Sequence, residues 1–559
     1  MSNTREVITF QFGNYANYIG AHWWNIQESG FKYDISDEPA SQIDNDVLFR
    51  EGQNYKRQTT FTPRLLLVDL DGSLKHLSEE GELYKETSNI PKTNPIDQLK
   101  EDLEWKDSDI EVIESEPLPK HEFQMDLDNP EVNIEEKDYK LSESVETWTD
   151  YLYSRYHPRT INIIKEYQHS PTNESFDTFS NGRRLWNTDQ FLDDFSDNIR
   201  QYIEECDNCQ GFQTIFDCHN GYSGLATQCL EYLNDEYSKA NLAIPVFNPK
   251  SVLFQSADDA MTDSIRLVNI ALTYSQLIEQ SSMFLPLSTQ SRVWRQLGEP
   301  RAMPLLNYEA DNLYQTSSIL ASFLDTISLR YRLKDAPLSS SLGAFCSDLT
   351  NYGRKLNAGA MALPFQMAND VDLIDCLDKF EGDLFTQLSP NCKIGTNYVV
   401  QSVCVRGIPK SRLKRPMQQA QQQMKMAAYR CDSISQMFQL YLQCQNHSSM
   451  AHVSALEEPM TTATPFPREM FDTCLDGKGF MSADEHSPEK KVMSVPTIAS
   501  VQCSGDIADT LETLHREASR VKIAKLHRFV DSGFEVDDYG EALESLLLFK
   551  DNYEDNYEL

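Results

Sequence analysis

The fold is read from Arg5-Glu6-Val7-Ile8-Thr9-Phe10-Gln11-Phe12-Gly13-Asn14-Tyr15-Ala16-Asn17-Tyr18-Ile19-Gly20-Ala21-His22-Trp23-Trp24. Val7–Phe12 is a short β-rich run, Gly13–Asn17 a turn, and the apolar residues from Ile19 to Trp24 recur at helical density. Strand, turn and helix in that order open an α/β unit. Leu65–Val68 reads as a second strand and runs into Asp69-Leu70-Asp71-Gly72.

The pattern continues downstream. Phe191, Phe195, Ile199 and Ile203 keep a four-residue spacing that marks one helix face. Phe212–Phe216 is a strand and His219–Gly224 a turn. Leu225, Cys229, Leu233 and Tyr237 mark another helix face, and Asn241–Phe247 is a further strand. Such alternation predicts the α/β class with a mostly parallel sheet, whose strand-end loops line a crevice. A second α/β region is expected over 301–445, with Tyr398–Arg406 as its clearest strand and a Gln- and Met-rich helical stretch from Met417 to Leu442. Residues 446–510 have little periodicity and read as a loop-rich insertion. Over 511–559, Leu543, Leu546, Leu547 and Phe549 predict C-terminal helices.

A chain of 559 residues exceeds one hydrophobic core, so two or three domains are expected, the first over 1–300. Its formal net charge of −36 repels nucleic acid and anionic headgroups and favours basic partners. Residues 101–140 hold 15 Asp and Glu against 4 Lys, and the whole stretch near 75–145 reads as a solvated, disordered acidic insertion. The opening residues show neither a cationic apolar leader nor an Arg-rich helix, and no stretch approaches the roughly 18–20 apolar residues that span a bilayer. With 12 scattered cysteines, reduced thiols in the cytosol are the expectation.

The chemical motifs are sparse. Cys206, Cys209, Cys218 and His219 supply enough N and S ligands for zinc, but without a second CxxC they read as partly buried thiols, and no metal is expected. The turn His219-Asn220-Gly221-Tyr222-Ser223-Gly224 opens a helix, where exposed amides and the helix dipole suit a phosphate. There is no GxxxxGK[ST] loop and no nucleophile elbow. Arg406, Lys410, Arg412, Lys414 and Arg415 form one basic patch, read as a solvated loop.

These segments resemble the tubulin/FtsZ superfamily. The opening stretch is similar to the tubulin amino terminus, Val68–Asp71 to its next acidic loop, and Cys209-Gln210-Gly211-Phe212-Gln213 to the lead into the glycine signature GGGTGSG. Cys392 through Gly407 resembles a second-domain strand, and Leu526 through Ala542 the carboxy-terminal helices. With Gly20–Trp24 and Tyr314-Gln315-Thr316-Ser317-Ser318, the resemblance is to the Misato family. It implies a tubulin-like, nucleotide-binding-type domain, a second α/β domain and C-terminal helices.

The same resemblance places a degenerate nucleotide site at Gly13, Asn14, Tyr15, Asn17, Asp69, Asp71, Gly221, Ser223 and Gly224. The glycine signature is one residue short and carries bulky side chains that obstruct phosphate. Where tubulins have GxxNxDxxE, the run from Gly343 to Asn351 keeps Asp348 but has Cys346 for Asn and Asn351 for the acid. An amide accepts no proton from water, so hydrolysis is not expected. The implied role is non-enzymatic, in mitochondrial distribution, morphology and inheritance, from the cytoplasm with peripheral attachment to mitochondria. The alternative is a tubulin-assembly factor acting with tubulin or the cytosolic chaperonin, and a third reading is a slow self-assembling GTPase. No cofactor is expected; GTP belongs to the third reading alone. Protein partners are implied, among them tubulin, the chaperonin or mitochondrial outer-membrane proteins, and no nucleic acid.

Overall fold

The computed structural model describes residues 5–31, 41–53, 57, 59–79, 81, 83, 118–169, 176–249, 257–295, 298–334, 340–392, 400–414, 426–445, 450–482, 491–532 and 534–554. Six parallel strands form the first sheet: β1 (Val7–Phe12), β2 (Leu65–Asp71), β3 (Ile161–Gln168), β4 (Gly211–Asp217), β5 (Ala240–Val246) and β6 (Met283–Phe284). Their spatial order is β3-β2-β1-β4-β5-β6. Chain order reverses between β1 and β4, and at such a switch point the strand-end loops diverge and leave a crevice. β1 and β4 are buried along their whole length, as a central strand covered on both faces must be.

Helices α1 (Asn14–Ser29), α2 (Phe179–Trp186), α3 (Asp189–Glu204), α4 (Gly221–Tyr237) and α5 (Ala257–Gln280) accompany this sheet. In α3 the spacing legible in the sequence takes effect: Phe195 and Ile199 are buried, while Phe191 and Ile203 pack at the margin of the same core. Helix α6 (Leu313–Ile327) is buried from Tyr314 to Ile327 and packs on α1. Its serine and threonine hydroxyls find acceptors one turn back, in the helix or its cap: Thr316 donates to the carbonyl of Asn312 at 2.8 Å, Ser322 to Ser318 at 2.7 Å and Thr326 to Ser322 at 2.8 Å.

After α7 (Leu342–Leu349), the second sheet contains β7 (Ala358–Ala362), β8 (Thr386–Gln387), β9 (Val400–Arg406), β10 (Met450–Leu456) and β11 (Thr497–Cys503), in the order β8-β7-β11-β9-β10. One expectation is corrected here. Residues 446–510 are not a loop-rich insertion, since they supply β10 and β11, and β11 lies between β7 and β9 with every residue buried. Thr-Ile-Ala-Ser-Val-Gln-Cys shows no alternation because both faces of the strand are covered. Of the stretch from Met417 to Leu442, residues 417–425 lie outside the described residues, and α8 (Ile434–Cys444) forms the helix.

The acidic stretch is corrected as well. Residues 84–117 lie outside the described residues, but 118–145 pack on the body, with Phe123 fully buried and Tyr139 and Leu141 in the core. The Glu135 carboxylate accepts from the Thr464 amide at 2.8 Å and pairs with Arg468. The Asn312 amide at the head of α6 donates to the Ser142 carbonyl at 2.9 Å. Dense charge did not keep this segment solvated because its few aromatic residues and paired carboxylates found partners. Helices α9 (Ala508–Ala518) and α10 (Val536–Asp551) pack together and on α5, with Leu546 buried and Leu547 exposed.

Asp325, near the end of α6, joins this helix to the second sheet. It is 2% exposed, accepts from Arg332 at 2.8 Å and pairs with Arg406 of β9. Arg406 is thus a buried structural cation rather than part of a solvated patch, and Arg415 lies outside the described residues. Removing one member of a buried ion group strands the others without compensation. Asp325→Ala is therefore expected to cost about 3–5 kcal/mol, read as a fall in the urea midpoint. A loss under about 1 kcal/mol would show that the arginines find other acceptors.

Candidate functional site

The expected site residues gather at the switch point. Gly13 follows β1 with φ +112°, a conformation that glycine adopts freely. A Cβ there would lie 2.6 Å from the Asp217 side chain, so the turn and the carboxylate need this glycine. Asp217 ends β4, is 3% exposed, and accepts from the Tyr15 amide at 3.2 Å and the Ala16 amide at 2.9 Å. These are first-turn donors of α1, where unpaired N–H groups and the helix dipole attract an anion. The protein's own carboxylate thus takes up these first-turn amides of α1.

The second acid is saturated. Asp69, fully buried, accepts from Asn17 Nδ2 at 2.9 Å, Trp148 Nε1 at 3.0 Å, the Tyr222 hydroxyl at 3.0 Å and the Leu70 amide at 2.9 Å. A carboxylate offers about four lone-pair sites, so little capacity remains for a metal or a ribose. Tyr222 is also buried, with its ring edge-on to Phe176 at 5.1 Å between centroids. Asn14 is half-buried, Tyr15 is buried, and Asp71 lies half-exposed past a register shift in β2.

The glycines of the second loop serve packing. A Cβ on Gly224 would stand 1.9 Å from the Phe179 carbonyl, and one on Gly182 would stand 1.9 Å from the Gly221 carbonyl. Helices α2 and α4 touch backbone to backbone, and the Gly221 amide donates to the Phe176 carbonyl at 3.1 Å. Ser223, fully buried, donates to the Asn220 carbonyl at 2.7 Å, while Asn220 caps α4 through the Tyr222 amide at 3.1 Å. Asn269 braces the loop, donating to the carbonyls of His219 at 2.9 Å and Asp177 at 2.6 Å.

The loop corresponding to the hydrolytic one is also internally paired. Asp348 on α7 lies 3.0 Å from Arg330 Nη2. Cys346 is 2% exposed, and burial pushes its thiol up to about 12. Asn351 is exposed in a short 3-10 turn. Among the described residues, no group of three or more His, Cys, Asp or Glu could hold a metal ion. Cavities of about 530 and 540 Å³ are lined by residues other than these, while Arg330 lines a third of about 450 Å³ with Ser340 and His452.

Sequence reasoning missed Asp217, Tyr222, Trp148 and Gly182, which pack against or hydrogen-bond to the candidate residues. An acid at the end of a central strand, two positions before the expected phosphate loop, was the available signal for Asp217. Trp148 and Gly182 gave none, because their contacts span 79 and more than 35 positions.

Burial pushes the Asp217 carboxyl up to about 7, the two α1 amides oppose that shift, and the nearby Asp69 adds to it. A carboxyl whose pKa is higher in the folded chain contributes stability below its unfolded value near 3.8 and loses it as pH rises through about 7. Asp217→Asn does not ionise, so its stability relative to the unsubstituted chain should improve between pH 4 and pH 8, by on the order of 3–4 kcal/mol. Urea unfolding of both chains at pH 4, 6 and 8 measures this. A pH-independent gap would mean that Asp217 stays ionised as a permanent cap.

Residues 5–129 match the family model described as the Misato Segment II tubulin-like domain, and residues 138–333 match a tubulin domain. Protein misato of Drosophila melanogaster is 44% identical over the whole of both chains. Protein misato homolog 1 of Danio rerio is 31% identical, over 97% of this chain and 95% of its own. The Homo sapiens protein of the same name is 30% identical, over 97% and 96%.

Proposed function

Because the chain belongs to the Misato family of tubulin-like proteins, we propose that it acts as a non-enzymatic tubulin-like body in mitochondrial distribution, morphology and inheritance. The observation that carries the non-enzymatic part is the Asp217 carboxylate on the first-turn amides of α1. A nucleotide phosphate would need those same amides, and would meet a buried acid in their place. The Asp69 network supports the same reading, since its hydrogen bonds leave that carboxylate little capacity to orient water.

The mitochondrial part rests on family membership and on the resemblance of Gly20–Trp24 and Tyr314–Ser318. Among the described residues, no helix is long and apolar enough to cross a membrane. Attachment to the organelle is therefore assigned to a protein partner, such as an outer-membrane protein, that meets the tubulin-like surface from the cytoplasm.

Two measurements test this proposal. Equilibrium binding of labelled GTP with magnesium should show no saturable uptake at micromolar nucleotide; a micromolar Kd would restore the nucleotide site. Depletion in cells should fragment or mislocalise the mitochondrial network, and the defect should persist after microtubules are removed. A normal network overturns the role, and a defect that vanishes without microtubules moves it to tubulin assembly.

A further inference from the structure

Cys206-Asp207-Asn208-Cys209 takes no part in the site above, yet the fold builds it with care. The turn follows the end of α3 and leads into β4. Glu6 shapes it from the neighbouring strand, accepting from the Asp207 amide at 3.1 Å and the Asn208 amide at 2.9 Å. The Gln210 amide closes it on the Glu6 carbonyl at 2.9 Å. With both intervening amides held, Cys206 and Cys209 flank one fixed four-residue turn.

Their surroundings differ. Cys206 is half-buried, donates to the Tyr202 carbonyl at 3.2 Å, and has Arg64 Nη1 at 3.8 Å from its sulfur. Cys209 is 9% exposed. Cys206 and Cys209 are the only cysteines in the chain separated by two residues, and Cys444, the exposed one, has no such neighbour.

We infer that Cys206 and Cys209 form a reversible dithiol–disulfide site that exchanges with small-molecule disulfides of the glutathione class. Cys206 is the sulfur the oxidant reaches, and Arg64 favours its thiolate. That thiolate attacks one sulfur of glutathione disulfide, forms a mixed disulfide and expels a glutathione thiolate, which takes up a proton. Cys209 then loses its proton and attacks the Cys206 sulfur, and the second glutathione leaves with that proton. Dithiol and glutathione disulfide become protein disulfide and two glutathione molecules. The new bond removes the Cys206 donor from the Tyr202 carbonyl, so oxidation loosens the last turn of α3 where it meets β4.

The test uses the full chain, equilibrated in glutathione buffers of increasing disulfide fraction, then alkylated, digested and weighed. The expected result is a Cys206–Cys209 bond that dithiothreitol reverses, with both cysteines lost from the alkylated pool together. In Cys209→Ser a glutathione adduct should accumulate on Cys206, because the resolving thiol is gone. Cys206→Ser should accumulate no adduct, because Cys209 is too buried to meet the oxidant. Circular dichroism of each variant verifies that it is folded, and Arg64→Gln should slow the first step severalfold. The inference fails if both thiols stay alkylatable where a free peptide of the same four residues is fully oxidised. It fails also if either cysteine bonds a third one, or if the adduct persists in the unsubstituted chain.

Discussion

Two acids with almost no exposure, Asp69 and Asp217, sit toward the carboxyl ends of β2 and β4, the strands on either side of β1, and each needs donors to remain there. The donors come from different parts of the chain: amides of α1, a side chain of α1, the hydroxyl of Tyr222 on α4, and the indole of Trp148. Satisfying the acids therefore draws α1, α4 and the segment around Trp148 onto one point. The positive φ of Gly13 and its lack of a side chain follow from the Asp217 carboxylate beside it. The glycines of α4 follow from the close crossing of α2 that seats Tyr222.

The first-turn amides of α1 hold a side chain of the same protein, so this turn joins β4 to α1.

The second sheet is tied to the first by α6 and by the segment 118–145. Asp325 lies between Arg332 and Arg406, and Arg332 reaches back to Gln27 of α1 at 3.1 Å. Glu135 binds the chain around Thr464 and Arg468, while the Ser142 hydroxyl pairs with Glu469. The contacts from segment 118–145 span more than 300 positions, so a segment inserted in the first half fastens a loop of the second.

The sequence by itself determined the α/β class, the tubulin resemblance, the first strand–turn–helix, the core face of α3 and the place of the crevice. Each rests on local periodicity, on turn chemistry or on a motif a few residues long. It also marked Gly221 and Gly224, but not the close helix crossing against Gly182 and Phe179 in which they lie. Only the tertiary structure decided that Asp217 caps α1, that Trp148 and Tyr222 saturate Asp69, that Arg406 is buried, and that β10 and β11 complete a sheet. These outcomes depend on which donor meets which acceptor across separations of 79 to more than 200 positions. A carboxylate in a sequence looks the same whether it awaits a metal or already has four hydrogen bonds. Burial and partner count separate the two cases, and both are properties of the folded chain.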